Sequence, residues 1–282
     1  MVNHLISLEL LKELDSKRLY IKRNHIDPEE IEHKFILREA RQHSARIEKP
    51  KALLYNPDAD EEAKEMRKRD FLYYEDNLEQ AWEYGILNIS LPLGEEDIRR
   101  IAFLIDPAYF EQRYNSDNEV FRLQLAPFRG LTEGVRVSGS LYTPPYPAKL
   151  PREMQRLIKD MAEMGKLVKE GEVHPVEIAA YCHFQLARIH PFSDANGRTS
   201  RMLQDIILRK HNFPAAAFFE GERRFYYKLL EDAERGYRQR DPKNKDFLKA
   251  SGEEERFFGF VGAKVNNSLD KILDKHFVSV LQ

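Results

Sequence analysis

A chain of 282 residues is long enough for one large domain or two small ones, and with 42% apolar residues either would bury a sizeable core. The 33% of charged residues are balanced, 45 basic against 47 acidic for a net charge of −2, leaving no polybasic excess for a phosphate backbone and arguing against nucleic acid as a partner. The start MVNHLISLELLKELDSKRLYIKR carries charges every few residues and no segment holds about 20 consecutive apolar residues, so the expectation is a soluble, cytoplasmic chain with no membrane partner.

Helical patterns dominate, and no repeat, low-complexity tract or Gly/Ser linker marks separate modules. Asp27 as cap, Pro28 in the first turn and Pro50 beyond the end predict a helix over 28–49. A second is expected over 60–85, where Phe71, Tyr74, Leu78, Ala81 and Trp82 recur as a packing face and Gly85 closes the run. GEEDIRRIAFLID (94–106) reads as a third helix and 150–167 as a fourth, with Met154, Leu157, Ile158 and Met161 on one side. Between them FRGLTEGVRVSGSLYTPPYP alternates Val135, Arg136 and Val137 among glycines, which predicts a short exposed hairpin, either a plain surface turn or a free edge for an extended peptide. HPVEIAAYCHFQLARIH (174–190) has little polar surface and should be the central buried helix. Its Cys182, the lone cysteine, is expected to be a reduced core thiol. A closing helix is expected near 264–276, with SGEEER before it as a solvated charge run.

HPFSDANGRTSR (190–201) is thus a short loop delivered by one buried helix into the start of another, with Met202, Leu203, Ile206 and Ile207 inward and Pro214 past the end. A helix start offers open N–H groups and partial positive charge, a ready place for phosphate oxygens. Ala195 and Gly197 allow close approach, Asn196 adds a neutral donor, and Arg198 and Arg201 can balance charge with forked contacts. Asp194 makes sense beside phosphates if Mg²⁺ sits between them, and His190 at the mouth can take a proton near neutral pH. The residues alone allow two readings, a phosphate-transfer site or an elaborate helix cap with a structural histidine.

HPFSDANGRTSR resembles the Fic motif H-P-F-x-D/E-G-N-G-R-x-x-R and departs from it only at Ala195. The resemblance extends over roughly 95–240, taking in FRGLTEGVRVSGSLYTPPYP as the flap and FEGERRFYYKLLEDA as the helix closing the nucleotide pocket. It implies an all-α fold, a Fic-type helical bundle core with a short β-hairpin flap, divided as an N-terminal region 1–94, a core 95–240 and a tail 241–282. The implied activity is transfer of AMP from ATP, the co-substrate, to a Ser, Thr or Tyr hydroxyl of a protein substrate, with Mg²⁺ as cofactor. His190 is then the general base, Asp194 the metal carboxylate, and Asn196 with the amides of 195–197 the phosphate cradle. Phe192 is a core anchor. Arg198 holds the distal phosphates and Arg201 helps fix them; Thr199 and Ser200 fall within the same nucleotide-binding run. Tyr226 and Tyr227 flank the nucleoside, and the flap strand Val135, Arg136, Val137, Ser138 aligns the target. Alanine at position 195 recurs in the Doc branch, whose similar members phosphorylate their targets, so a Doc-like kinase is the alternative, with a nucleotide-sensing interaction protein as a third reading.

Many similar proteins carry an inhibitory helix, S/T-x-x-x-E-G/N, whose glutamate pairs with the second arginine of the loop. SARIEK fits through Ser44 and Glu48 and departs at Lys49; SGEEER is a rival through Ser251 and Glu255. The expectation is autoinhibition by Glu48, with a homodimer possible.

Overall fold

The computed structural model describes residues 4–24, 26, 36, 38–48, 61–114, 122–133, 135, 142–240 and 246–280; of 45, 48, 61–71, 279 and 280 only the backbone is described. Ten α-helices are described in this part, besides two short 3₁₀ helices (Pro147–Lys149 and Glu220–Glu222): α1 (Leu8–Arg23), α2 (Arg38–Glu48), α3 (Glu61–Asn88), α4 (Glu95–Ile105), α5 (Pro107–Arg113), α6 (Leu150–Glu170), α7 (Pro175–Ile189), α8 (Asn196–Lys210), α9 (Arg223–Gln239) and α10 (Gly252–Val280). No strand occurs among the described residues. The expected hairpin largely falls outside them: Arg136, Val137 and Ser138 are not described, and Val135 stands half-buried, outside any strand.

The central helix is α7, buried at every position but Pro175 and Ala187 and packed against α6, α8, α9 and α10. His174 caps it: its ring Nδ1 accepts from the Val176 N–H at 3.2 Å, while Glu177 accepts from the His174 N–H at 2.8 Å. Cys182 lies wholly inside, its thiol pushed up to about 12 by burial. On α6, Met154, Leu157 and Met161 are buried while Ile158 stays half-exposed, and the helix ends on Gly171 at φ 77, a left-handed cap that glycine adopts without strain. One apolar cluster runs from Leu5 to Ile272 through all these elements.

Two expectations need correction. Gly85 does not close α3, which continues to Asn88; it is buried, and a Cβ there would meet the Ile206 side chain of α8, so the glycine serves helix–helix approach. The tail helix begins at Gly252 instead of near 264. SGEEER is its start: the Ser251 hydroxyl accepts from the Glu254 N–H at 3.3 Å, and Glu254 accepts from the Ser251 N–H at 2.9 Å and from Arg240 at 2.9 Å, a capping box with a buried glutamate. Glu255, the rival for Glu48, is exposed on that helix.

Candidate functional site

The loop between α7 and α8 is held in a defined, partly strained shape. His190 terminates α7 in the left-handed region (φ 50, ψ 58), its N–H bonded to the Leu186 carbonyl at 2.9 Å. Arg129, buried, donates through Nε to the His190 carbonyl at 2.8 Å and through Nη2 to the Pro145 carbonyl at 2.5 Å, and its own N–H reaches the Pro191 carbonyl at 2.9 Å. One guanidinium therefore ties the histidine to residues that bracket the expected flap. The His190 ring places Nδ1 at 3.4 Å from the Ala187 carbonyl; with the proton assigned there, Nε2 is the nitrogen that carries the ring's lone pair.

Phe192 is fully buried, 6.4 Å from the Phe110 ring and 5.8 Å from Phe128, and anchors the loop as expected. The Asn196 side chain differs from its expected part: it accepts from the Phe192 N–H at 2.9 Å and donates to the Phe192 carbonyl at 2.8 Å, so it shapes the loop and has no donor aimed outward. The Ala195 N–H is likewise used, donating to Asp194 Oδ1 at 2.6 Å. Ala195 itself takes the left-handed conformation (φ 64, ψ 4) that glycine would hold more easily, and no side chain caps α8. Of the expected amides 195–197, those of Asn196 and Gly197 lie in the first turn of α8, at its positive end. Thr199 and Ser200 face inward: the Ser200 hydroxyl bonds the Gly197 carbonyl at 2.9 Å and the Thr199 hydroxyl is buried.

The two arginines differ sharply. Arg198 is buried, pairs through Nη2 with Asp106 at 3.2 Å and Asp194 at 3.4 Å, and lies over the Tyr74 ring at 4.9 Å. Its Nε and Nη1 are buried with no hydrogen-bond partner among the described residues. Two unmet guanidinium donors cost free energy unless a ligand meets them, and phosphate oxygens do so well. They border a pocket shared with Arg41, Ser44, Arg201 and Asp205, whose free space of about 20 Å³ admits a water molecule only.

Arg201 instead holds α2. Its Nε donates to the Ser44 hydroxyl at 2.8 Å, its Nη2 to the Ser44 carbonyl at 3.1 Å and its Nη1 to the Tyr226 hydroxyl at 3.3 Å. The end of α2 is fastened as well, since the Ile47 carbonyl accepts from Arg223 at 2.6 Å and from the Tyr227 hydroxyl at 3.5 Å. Along the helix, Arg41 pairs with Glu79 at 2.8 Å, Glu39 with Lys271 at 2.6 Å, and the His43 ring accepts from the Glu220 N–H at 3.3 Å. The Glu48 side chain lies outside the described residues.

Tyr226 and Tyr227, expected to flank a nucleoside, are both buried, the first among His183, Phe218 and Phe257 and the second under Arg223 at 5.0 Å. Sequence reasoning missed Arg129, Asp106 and His183. Only His183 left a usable sign, as a polar residue inside a helix with no polar face. A metal site made wholly by protein is absent among the described residues, where no three His, Cys, Asp or Glu side chains converge. Asp194, its side chain 44% exposed beside the open helix start, does fit an ion that takes one carboxylate and completes its shell with phosphate and water oxygens.

Comparisons with known proteins bear on this geometry. The model of the Fic/DOC family matches residues 93–208. "Protein adenylyltransferase Fic" of Nematostella vectensis is 36% identical over 108 residues, 38% of this chain and 24% of the relative. Its namesake in Drosophila persimilis is 37% identical over 95 residues, 34% of this chain and 18% of that one, so the matched part spans a quarter or less of these curated relatives. Among solved structures, a Fic domain containing signaling protein from Bacteroides thetaiotaomicron superposes with a TM-score of 0.65 at 21% identity, over 93% of this chain and 95% of that one. Fic-1 from C. elegans gives 0.65 at 18% identity, over 96% and 73%. Loop, arginines and most of the helical frame thus lie in or beside the segment that the Fic/DOC family model matches, residues 93–208, and the fold is that of the Fic-domain structures.

Proposed function

We propose that the protein is an adenylyltransferase that moves AMP from ATP to a hydroxyl of a protein substrate and that α2 holds it in check. The observation that carries the reading is Arg198, a buried guanidinium whose Nε and Nη1 find no partner among the described residues, at the start of α8 in the segment that the Fic/DOC family model matches, in a chain with relatives named for this activity. In the reaction the hydroxyl oxygen attacks the α-phosphorus, its proton passes to His190 Nε2, and the bond from the α-phosphorus to the bridging oxygen breaks, with pyrophosphate leaving. Arg129 fixes the histidine by its carbonyl. The Asn196 and Gly197 amides and Arg198 meet the phosphate charge. Mg²⁺, when bound, would be held by Asp194 and would neutralise phosphate charge.

The same site supports the regulatory part of the proposal. Ser44 occupies Nε and Nη2 of Arg201, α2 lines the space beside Arg198, and the backbone of Glu48 ends the helix one residue past the clamped Ile47. A carboxylate from Glu48 on Arg201 would complete the block by removing that guanidinium from the phosphates. Val135, Arg136, Val137 and Ser138 are proposed to align the target backbone.

Ala195 favours one alternative, transfer of the γ-phosphoryl group in the manner of the Doc branch. Labelled ATP separates the two. AMP transfer predicts incorporation from α-labelled and not γ-labelled ATP, and loss of incorporation in His190→Ala with ATP binding retained; label entering from the γ position would establish the kinase.

A further inference from the structure

Four buried side chains on three helices form a directed hydrogen-bond chain that ends on Arg201. Its far end is Asp205 on α8, whose Oδ1 accepts from the Ala216 N–H at 3.0 Å. That oxygen also accepts from Gln204 Nε2 at 3.0 Å, which orients the Gln204 amide and turns its carbonyl oxygen toward α7. There it meets His183 Nδ1 at 2.6 Å. Because Gln204 Oε1 only accepts, Nδ1 carries the proton and Nε2 presents a lone pair. Nε2 lies 2.8 Å from the Tyr226 hydroxyl, which must then donate to it. The hydroxyl oxygen is thereby left to accept, and it accepts from Arg201 Nη1 at 3.3 Å.

An apolar side chain at position 183 would pack in this interior at lower desolvation cost, since His183 is fully buried among Phe218, Phe257 and Tyr226. Burial also pulls the His183 ring down to about 3, so it stays neutral in the tautomer that the chain needs. Were the ring charged, both nitrogens would donate, and the Tyr226 hydroxyl could no longer point its proton at Nε2. Ser44 takes Nε and Nη2 of Arg201 from the α2 side, whereas Tyr226 holds Nη1 from the α9 side. The α9 contact does not depend on α2.

We propose that His183 is a positioning residue: through Tyr226 it presets the Arg201 guanidinium for the distal phosphates of ATP, whether or not α2 is seated. This rests on the reading that Arg201 contacts those phosphates. Tyr226 therefore acts at the phosphate end of the nucleotide, as the support of an arginine, and not as a wall for the nucleoside.

The test titrates the full chain carrying Glu48→Gly, so that the proposed α2 block does not mask Arg201, with ATP and with AMP, which lacks the distal phosphates, and follows thermal unfolding of each variant. Tyr226→Phe removes one oxygen and keeps the ring. It should weaken ATP binding about tenfold, about 1.4 kcal/mol, leave AMP binding unchanged and unfold near the parent temperature. His183→Leu should show the same split, and His183→Gln, which keeps an acceptor for the Tyr226 hydroxyl, should recover most of the loss. Arg201→Gln is the reference. If it loses ATP affinity while folded Tyr226→Phe does not, the relay is wrong and the role of Arg201 stands. If Arg201→Gln binds ATP as the parent does, both ideas fail. Parallel loss of ATP and AMP affinity in Tyr226→Phe would mean a plain packing role and overturn the proposal.

Discussion

Two buried titratable residues beside α8 are tuned in opposite senses, and pH separates them. Burial pushes Asp205 up to about 7, against the hydrogen bonds from Ala216 and Gln204 and the charges of Arg201 and Arg41. Folding makes this carboxyl bind an extra proton above its ordinary value of 3.8, so its contribution to stability is full below that value and is lost as pH rises through about 7. His183 is the reverse: pulled from 6.5 to about 3, it contributes fully above 6.5 and loses that contribution as pH falls toward 3. Asp205→Asn should therefore gain stability over the parent progressively from about pH 4 to about pH 7, while His183→Gln should lose less than the parent on acidification below about pH 6.5. Urea midpoints across that range check both, and a pH-independent difference for either variant would contradict the assignment. At this scale the sequence was only partly legible. The motif exposed His190, Asp194, Arg198 and Arg201 because loop chemistry is local. Arg129 and Asp106 were invisible because their partners lie 61 and 92 positions away, distances that spacing does not encode.

Helices were the most readable elements, since apolar period and caps act within a few residues. Gly94, with Asp97 accepting from its N–H at 2.8 Å, opens α4 where the sequence placed it, and Pro175 opens α7. Failures came where tertiary contact overrode a local sign. Gly85 looked like a terminator, but its missing side chain is what lets α3 lie against Ile206. Gly85→Ala should consequently overpack this crossing and cost about 1–3 kcal/mol, read as a lower urea midpoint with ordinary helix content. An unchanged midpoint would mean that Ile206 moves aside freely. SGEEER failed for a related reason: composition marked it as solvated, whereas Glu254 turns back to cap its own helix and meet Arg240.

Across the whole molecule, α2 before the segment that the family model matches and α9 and α10 after it close on one another beside the site. Lys271 of α10 reaches Glu39 of α2 at 2.6 Å, and Arg223 of α9 and Arg201 of α8 grip the α2 backbone at Ile47 and Ser44. The SARIEK pattern made α2 recognisable, but only the fold brings Ser44 to a residue 157 positions later. On the proposed reading such a clamp is a two-state element whose equilibrium a nucleotide and α2 bias in opposite directions, with couplings of this kind commonly worth about 1–3 kcal/mol. The most direct measurement is incorporation of label from α-labelled ATP into protein by the full chain, by Glu48→Gly and by Glu48→Gly with His190→Ala. The account predicts a rise on the order of tenfold in Glu48→Gly and none above background when His190 is also replaced. Incorporation that is equal in the parent and Glu48→Gly, or that survives loss of His190, would contradict it.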